Sequence, residues 1–86
     1  MEERREPLDG PEILEAIRRS VVTVVPELDP AAVTPECTLA ELGCNSIDRA
    51  EVVTMAMEEL GIVVPVPEFR RGHDVAALVE LFRKYA

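Results

Sequence analysis

The chain has 86 residues, of which 17 are acidic and 9 are basic, so its formal net charge is −8. That length allows one small domain, and a hydrophobic fraction of 48% is enough for a core. The acidic balance disfavours nucleic acid and anionic membranes as partners, and no apolar run approaches the roughly 20 residues of a membrane span. We expect a cytoplasmic protein, because Cys37 and Cys44 make no disulfide framework and the N-terminus resembles no secretory signal, and its acidic surface favours a monomer.

The first predicted element is a helix that follows a charged tail. Residues 1–8 lack periodicity and are expected to be flexible, which leaves 9–86 as the folded domain. Asp9 is a good cap and Pro11 suits a first helical turn, while Pro26 is expected to end the helix. The apolar residues at helical spacing, which predict the core face, are Ile13, Ile17, Val21 and Val24.

A long connection, residues 26–45, separates this helix from the next. A loop of this length inside a compact domain is uncommon and is often functional. Thr38 and Glu41 have the spacing of a capping box, which predicts one short turn. Apolar residues at intervals predict that the loop lies pinned on the core; they are Leu28, Val33, Leu39 and Leu42.

The second helix is predicted over 46–60. Asn45 is a good cap, Asp48 adds favourable charge in the first turn, and Gly61 ends the helix. At about 100° per residue, Ile47 and Met55 fall outside the core-facing arc. The predicted core side consists of Val53, Ala56 and Leu60, flanked by Val52 and Met57, and the opposite side carries Glu51, Thr54 and Glu58.

The last third of the chain predicts one short helix and one longer one. Residues 63–67 cannot form a central strand because they contain two prolines, and a short turn of helix is expected after Pro67, through Phe69. A final helix is predicted from a cap at Asp74, with Val75, Leu78, Val79 and Phe82 on its core face and Arg83 and Lys84 in its last turn. The predicted fold is an all-α four-helix bundle with three main helices, one short helix and a long first loop.

Patterns typical of enzymes and metal sites are weak. The single histidine, His73, is expected near a helix start, and Cys37 and Cys44 lack the spacing of metal ligands. We therefore predict no metal site and no catalytic residues. A small thiol-dependent enzyme using Cys44 stays open as an alternative.

The most informative segment surrounds Ser46. Gly43 permits tight backbone geometry just ahead of the second helix. Ser46 then stands at the helix N-terminus, where unpaired amides and the helix dipole attract an anion. Such a serine suits the attachment of a phosphodiester, although a simple capping role is equally compatible with this local pattern.

The motif "LGCNSID", between a loop ending "TLAELG" and a helix ending "MEELGI", resembles the acyl carrier protein family over roughly residues 11–86. The resemblance implies that Ser46 carries 4′-phosphopantetheine, installed from coenzyme A by a phosphopantetheinyl transferase. The arm's thiol would hold an acyl group as a thioester. Where most carriers have aspartate before the serine, this chain has Asn45, and Arg49 one turn later would pair with the phosphate or with Glu41 or Asp48.

The family resemblance also implies a surface for partner enzymes on the second helix. Acidic side chains there would steer basic docking surfaces, and Ile47 would be the principal apolar contact. Met55 and Met57 suit an adaptable interface, although methionine also fills gaps in cores. The predicted docking residues are Ile47, Asp48, Glu51, Met55, Met57 and Glu58, with Glu41 and Glu59 as further acidic contributors.

The longer string "LGCNSIDRAEVV" and the later "GHDVAALVELF" resemble stand-alone donor carriers of polyketide β-branching cassettes. That resemblance implies a malonyl group loaded by an acyltransferase and converted to acetyl by a decarboxylating ketosynthase. A hydroxymethylglutaryl-synthase-like enzyme would then condense the acetyl group with a β-keto chain on another carrier. The alternatives are a carrier for fatty-acid or other acyl or aminoacyl synthesis, and an unmodified helical adaptor.

Overall fold

The computed structural model describes residues 9–69 and 73–86, and its architecture is all-α as predicted. Three α-helices are joined by loops that contain two short 3₁₀ helices. The α-helices are α1 (Gly10–Val24), α2 (Ser46–Leu60) and α3 (Val75–Lys84), and the 3₁₀ helices are Pro30–Ala32 and Val66–Glu68. The predicted tail, residues 1–8, lies outside the described residues.

The helix starts follow the local capping signals. Asp9 accepts a hydrogen bond from the Glu12 amide at 2.9 Å, and Asp74 accepts one from the Ala77 amide at 2.8 Å. The predicted bounds of α2 are confirmed, and Gly61 ends the helix in the left-handed region, with φ 71°. Side-chain caps and a terminal glycine act locally, so the sequence predicts these ends well.

Two details of the loops differ from the prediction. The helical turn expected after Pro67, through Phe69, spans Val66–Glu68 and so begins two residues earlier and includes that proline. The first 3₁₀ helix, Pro30–Ala32, was not predicted, although Asp29 caps it through the Ala31 amide at 2.9 Å. Arg18 of α1 attaches this turn to the first helix, because its guanidinium donates to the carbonyls of Pro30 and Val33.

The core lies where α1 packs against both α2 and α3. The predicted centre of the α2 core face is shifted, since Val52 is fully buried whereas Val53 and Leu60 are half-buried. The helix turns Val52 towards the core and leaves Val53 beside a groove between α2 and α3. The fully or nearly fully buried large side chains are Ile13, Ile17, Val21, Val33, Val52, Val75 and Phe82.

The first loop is attached to the start of α3. The Cys37 carbonyl accepts from the Val75 amide at 2.8 Å, and the Pro35 carbonyl accepts from the Ala76 amide at 2.9 Å. These bonds satisfy amides that have no acceptor within their own helix. Thr38 and Glu41 form the predicted capping box, with bonds of 3.0 and 3.1 Å. The loop is thus pinned on the core as expected.

Among the described residues, no helix has the combined length and apolar character needed to cross a bilayer. Nor do three or more histidine, cysteine or acidic side chains of residues 9–69 and 73–86 come together in a way that would hold a metal ion.

Candidate functional site

Ser46 is the first residue of α2 and its side chain is exposed. The turn before it is anchored on both sides of Gly43, because Leu42 and Cys44 are buried. Gly43 has a φ of 95°, in the left-handed region that favours glycine. The Cys44 amide also donates to the Leu39 carbonyl at 3.1 Å, so the serine is presented from a backbone held at several points.

A reciprocal capping box fixes the start of α2. The Asn45 side chain accepts from the Asp48 amide at 2.8 Å, and the Asp48 carboxylate accepts from the Asn45 amide at 3.2 Å. Asn45 therefore caps the helix as predicted. Asp48 was expected among the acidic docking residues, but its carboxylate is hydrogen-bonded to the Asn45 amide at the start of its own helix.

The surroundings of Ser46 favour a negatively charged group. The first amides of α2 have no acceptor within the helix, and the positive end of the helix dipole lies there. Arg49 adds a cation one turn later, and its Nη1 donates to the Cys44 carbonyl at 3.3 Å. Within the described residues Arg49 forms no ion pair with Glu41 or Asp48, so that predicted alternative is wrong.

The chain contains a second serine, which makes a useful contrast. Ser20 is 2% exposed and its hydroxyl donates to the Ala16 carbonyl at 2.9 Å within α1. Only Ser46 of the two therefore offers a hydroxyl to an enzyme acting on the folded chain.

The predicted docking residues differ in their accessibility. Ile47 is 71% exposed, which confirms its expected position on the surface. Glu51 and Glu58 are also exposed, whereas Met55 and Met57 are half-buried. Glu59, one of the further acidic residues, forms an ion pair with Arg19 of α1 and raises the pKa of that guanidinium.

Met57 has an internal contact that the sequence pattern did not indicate. Its sulfur accepts a hydrogen bond from the Val64 amide at 3.2 Å, and the side chain packs against the core. It also lines the groove between α2 and α3. Its position is therefore closer to that of a core residue than to that of a surface contact.

The groove between α2 and α3 has a volume of about 680 Å³. Four polar side chains lie among its mainly apolar lining: Thr38, Arg49, Thr54 and His73. The larger apolar side chains that line it are Leu39, Val53, Met57, Val66, Phe69 and Leu78. His73 lies near the start of α3, as predicted, and it also lines this groove, which its place in the sequence did not indicate.

The cysteines do not form a reactive site. Cys44 is 4% exposed, and burial raises the pKa of its thiol, with a smaller contribution from Asp48. A thiol that resists ionisation is a poor nucleophile at neutral pH. Cys37 packs in the loop, with its sulfur 3.2 Å from the Thr34 hydroxyl. The thiol-dependent alternative therefore has no support from this geometry.

Comparison with known proteins agrees with the position of the exposed serine. Residues 15–82 match the family model described as the phosphopantetheine attachment site. The chain is 36% identical over 74 residues to the polyketide biosynthesis acyl-carrier-protein AcpK of Bacillus subtilis (strain 168), covering 86% of this chain and 90% of that protein. The chain belongs to the acyl carrier protein family.

Two further relatives are similar to this acyl carrier protein. The mitochondrial acyl carrier protein of Dictyostelium discoideum is 34% identical over 67 residues, covering 74% of this chain and 56% of that protein. In a crystal structure of the curacin biosynthetic pathway HMG synthase in complex with its acetyl donor-ACP, one chain matches with a TM-score of 0.79 and 28% identity. That match covers 90% of this chain and 99% of the other.

Membership of the family decides between the broad classes of function. The protein is a carrier and not a catalyst, and 4′-phosphopantetheine is its prosthetic group. The residues around Ser46 fit that group, because an exposed hydroxyl at a helix N-terminus has a guanidinium one turn away. The unmodified adaptor is thereby set aside.

The structure also exposes two apolar residues that the sequence analysis did not select. Val63 is 80% exposed and Val66 is 79% exposed, in the segment between α2 and α3. Their signal was an apolar run interrupted by Pro65 and Pro67, since such a run can form neither a strand nor a long helix.

Proposed function

We propose that this acyl carrier protein bears 4′-phosphopantetheine on Ser46 and presents an acetyl thioester as donor in polyketide β-branching. The support for attachment at Ser46 is its exposure at the start of α2, together with the buried position of the only other serine, Ser20. When bound, the group supplies a terminal thiol for thioester formation. The chain's own residues present and orient it.

Around the attachment point, each neighbouring residue has a distinct role. Asn45 holds the helix start in shape through the capping box, and so fixes the direction in which Ser46 points. Arg49 supplies positive charge within one turn of the phosphodiester. The absence of a carboxylate at position 45 avoids repulsion of that phosphodiester, a difference from the family's usual aspartate.

The donor role is supported by two of the comparisons, which both concern carriers of natural-product biosynthesis. One relative is a polyketide biosynthesis carrier, and the matched structure is an acetyl donor-ACP bound to an HMG synthase. The corresponding partners would be a phosphopantetheinyl transferase, an acyltransferase that loads malonyl, a decarboxylating ketosynthase and an HMG-synthase-like enzyme. A general acyl carrier is the second candidate, favoured by the 34% identity to the mitochondrial carrier.

Docking would use the outward side of α2. Ile47 supplies an exposed apolar contact directly after Ser46, and Glu51 and Glu58 supply exposed negative charge. Complementary charge mainly raises the rate and specificity of encounter. Met55 would contribute only its exposed part, and Asp48 and Met57 would contribute mainly through the shape of the helix.

The first experiment is intact mass measurement after incubation with coenzyme A and a promiscuous phosphopantetheinyl transferase. We expect one added phosphopantetheine on the wild-type chain and on Ser20→Ala, and none on Ser46→Ala. The modified carrier is then loaded with acetyl and offered to an HMG-synthase-like enzyme with an acetoacetyl carrier. Modification without acetyl transfer would reject the donor role and favour the general carrier, whereas no modification of a folded chain would reject attachment at Ser46.

A further inference from the structure

The side-chain amide of Asn45 has one end engaged and one end free. Its Oδ1 accepts a hydrogen bond from the Asp48 amide at 2.8 Å. Because a backbone amide only donates, this bond fixes which end of the side chain is the oxygen and leaves Nδ2 as the other end. Nδ2 donates to no group among residues 9–69 and 73–86, and Asn45 is exposed. The capping bond therefore holds a free N–H donor group directly before Ser46 in the chain.

The start of α2 offers two further free donors. The Arg49 amide donates to the Asn45 carbonyl at 2.9 Å, which closes the first turn of the helix. The amides of Ser46 and Ile47 come before that bond and have no acceptor within the described part of the chain. The Asp48 amide is already engaged by Asn45 Oδ1. An anionic group carried by Ser46 would therefore meet the free backbone amides together with Asn45 Nδ2.

The charges around Ser46 make a donor at position 45 useful. The Asp48 carboxylate already lies 3.2 Å from the Asn45 amide nitrogen, and a phosphodiester on Ser46 adds a second negative charge on the same turn. The Arg49 guanidinium is partly engaged, because its Nη1 donates to the Cys44 carbonyl at 3.3 Å. Hydrogen bonds to an ionised acceptor are about twice as strong as those between neutral groups. An aspartate at position 45 would present an oxygen in place of Nδ2.

We propose that Asn45 Nδ2 donates a hydrogen bond to a phosphodiester oxygen of the 4′-phosphopantetheine on Ser46 while Asn45 Oδ1 continues to cap α2. The inference rests on the proposed attachment at Ser46. Asn45 is a positioning residue, because it makes and breaks no covalent bond. With both ends of one side-chain amide engaged, attachment of the arm and capping of the helix stabilise each other.

The first test observes the side-chain amide directly. The chain has one asparagine and no glutamine, so the carboxamide NH₂ signals in a ¹H–¹⁵N spectrum belong to Asn45 alone. We expect one of the two protons to move to lower field after enzymatic attachment of the arm, and both to stay in place in Ser46→Ala treated in the same way. Intact mass reports attachment separately. No attachment would reject the role of Ser46, whereas attachment without movement of the NH₂ signals would overturn the hydrogen bond alone.

The second test measures the coupling between attachment and stability. Calorimetry gives the change in Tm on attachment for the wild type, Asn45→Asp and Asn45→Ala, each compared with its own unmodified form. Asn45→Asp keeps a capping oxygen but has no donor, and Asn45→Ala removes the donor without adding charge. We expect the change in both variants to be less favourable than in the wild type by about 4 °C or more, the effect of one hydrogen bond to a charged group in a domain of this size.

The pattern across the variants separates the competing explanations. If Asn45→Ala keeps the wild-type change and only Asn45→Asp loses it, repulsion by the carboxylate accounts for the difference and the hydrogen bond is overturned. If both Asn45 variants keep the change and Arg49→Gln loses it, the phosphodiester is held by Arg49, which also overturns the proposal. A cooperative melting transition of each unmodified variant establishes that it is folded.

Discussion

The sulfur of Met57 accepts a hydrogen bond from the backbone amide of Val64, with 3.2 Å between the two atoms. The contact joins the last turns of α2 to the segment that leads to the second 3₁₀ helix. Met57→Leu keeps most of the apolar volume but leaves this amide without its acceptor. We expect a loss of about 1 kcal/mol in the free energy of unfolding.

Urea unfolding of the purified chain checks this value. Met55→Leu is the matched control, since Met55 is also half-buried on α2 but lies outside the core cluster. We expect the control to change stability by less than about 0.5 kcal/mol. Equal losses in the two variants would mean that the sulfur contact adds nothing.

Asn45 is predicted to stabilise the helix that carries Ser46. Asn45→Ala removes the acceptor of the Asp48 amide and should lower the free energy of unfolding by about 1 kcal/mol. For a domain of this size, that corresponds to a fall of roughly 4–8 °C in Tm. Asn45→Asp retains a capping oxygen and should stay close to the wild type in calorimetry. A Tm for Asn45→Ala equal to that of the wild type would contradict the capping role.

Ile47 is predicted to serve binding and not folding. Because its side chain is 71% exposed, Ile47→Ala should change the free energy of unfolding by less than about 0.5 kcal/mol. If it is a central docking contact, kcat/KM of acetyl transfer to the HMG-synthase-like partner should fall at least about fivefold, the effect of roughly 1 kcal/mol.

Val63→Ala is the control for Ile47. Val63 is 80% exposed and follows the opposite end of α2, a helix of 15 residues and so about 22 Å long. Its substitution should leave acetyl transfer nearly unchanged. A similar loss of transfer in both variants would indicate a general dependence on exposed apolar surface and not docking at Ile47.

Phe82 is predicted to be the most sensitive core position. It is fully buried, and its ring meets that of Phe69 edge-on, with the centroids 6.2 Å apart. Phe82→Ala should cost about 3–5 kcal/mol, a large part of the roughly 4–13 kcal/mol expected for the domain. Phe82→Leu fills more of the space and should cost clearly less. Circular dichroism during urea titration gives both values.

Cys44 is predicted to make stability fall at alkaline pH. Burial raises the pKa of the Cys44 thiol, so the folded chain keeps a proton that the unfolded chain releases above about pH 8.5. The unfolded state then binds fewer protons, and the free energy of unfolding decreases as pH rises. Cys44→Ala should therefore lose less stability than the wild type between pH 7 and pH 9.5.

Urea unfolding at the two pH values measures that difference. Cys37→Ala is the control, because it keeps the buried thiol of Cys44. Its free energy of unfolding should fall at alkaline pH by as much as that of the wild type. If the difference in the free energy of unfolding between the wild type and Cys44→Ala is the same at both pH values, protonation of Cys44 does not contribute to the alkaline loss of stability.

The sequence predicted those features that depend on neighbours along the chain. The ends of α2 follow from Asn45 and Gly61, and the exposure of Ile47 follows from helical periodicity. The capping box that occupies Asp48 was also local, and an acid three residues after Asn45 was its signal.

Features built by distant residues were not predictable in the same way. The attachment of the first 3₁₀ helix to α1 involves Arg18, which lies twelve residues before Pro30. The position of His73 in the groove lining depends on how residues from α2 and α3 come together around it. The spacing of residues within one segment does not predict contacts between segments that are far apart in the sequence.

The bonds between the first loop and α3 have a consequence for how α2 is held. The Val75 amide donates to the Cys37 carbonyl, so this hydrogen bond closes the chain between them into a loop. The whole of α2 is part of that loop. A displacement of α2 that reaches the ends of this loop would break the bonds at Val75 and Ala76. The exchange of the Val75 and Ala76 amides with deuterium should therefore be slow for the start of a helix, and should report whether a bound enzyme leaves the loop closed.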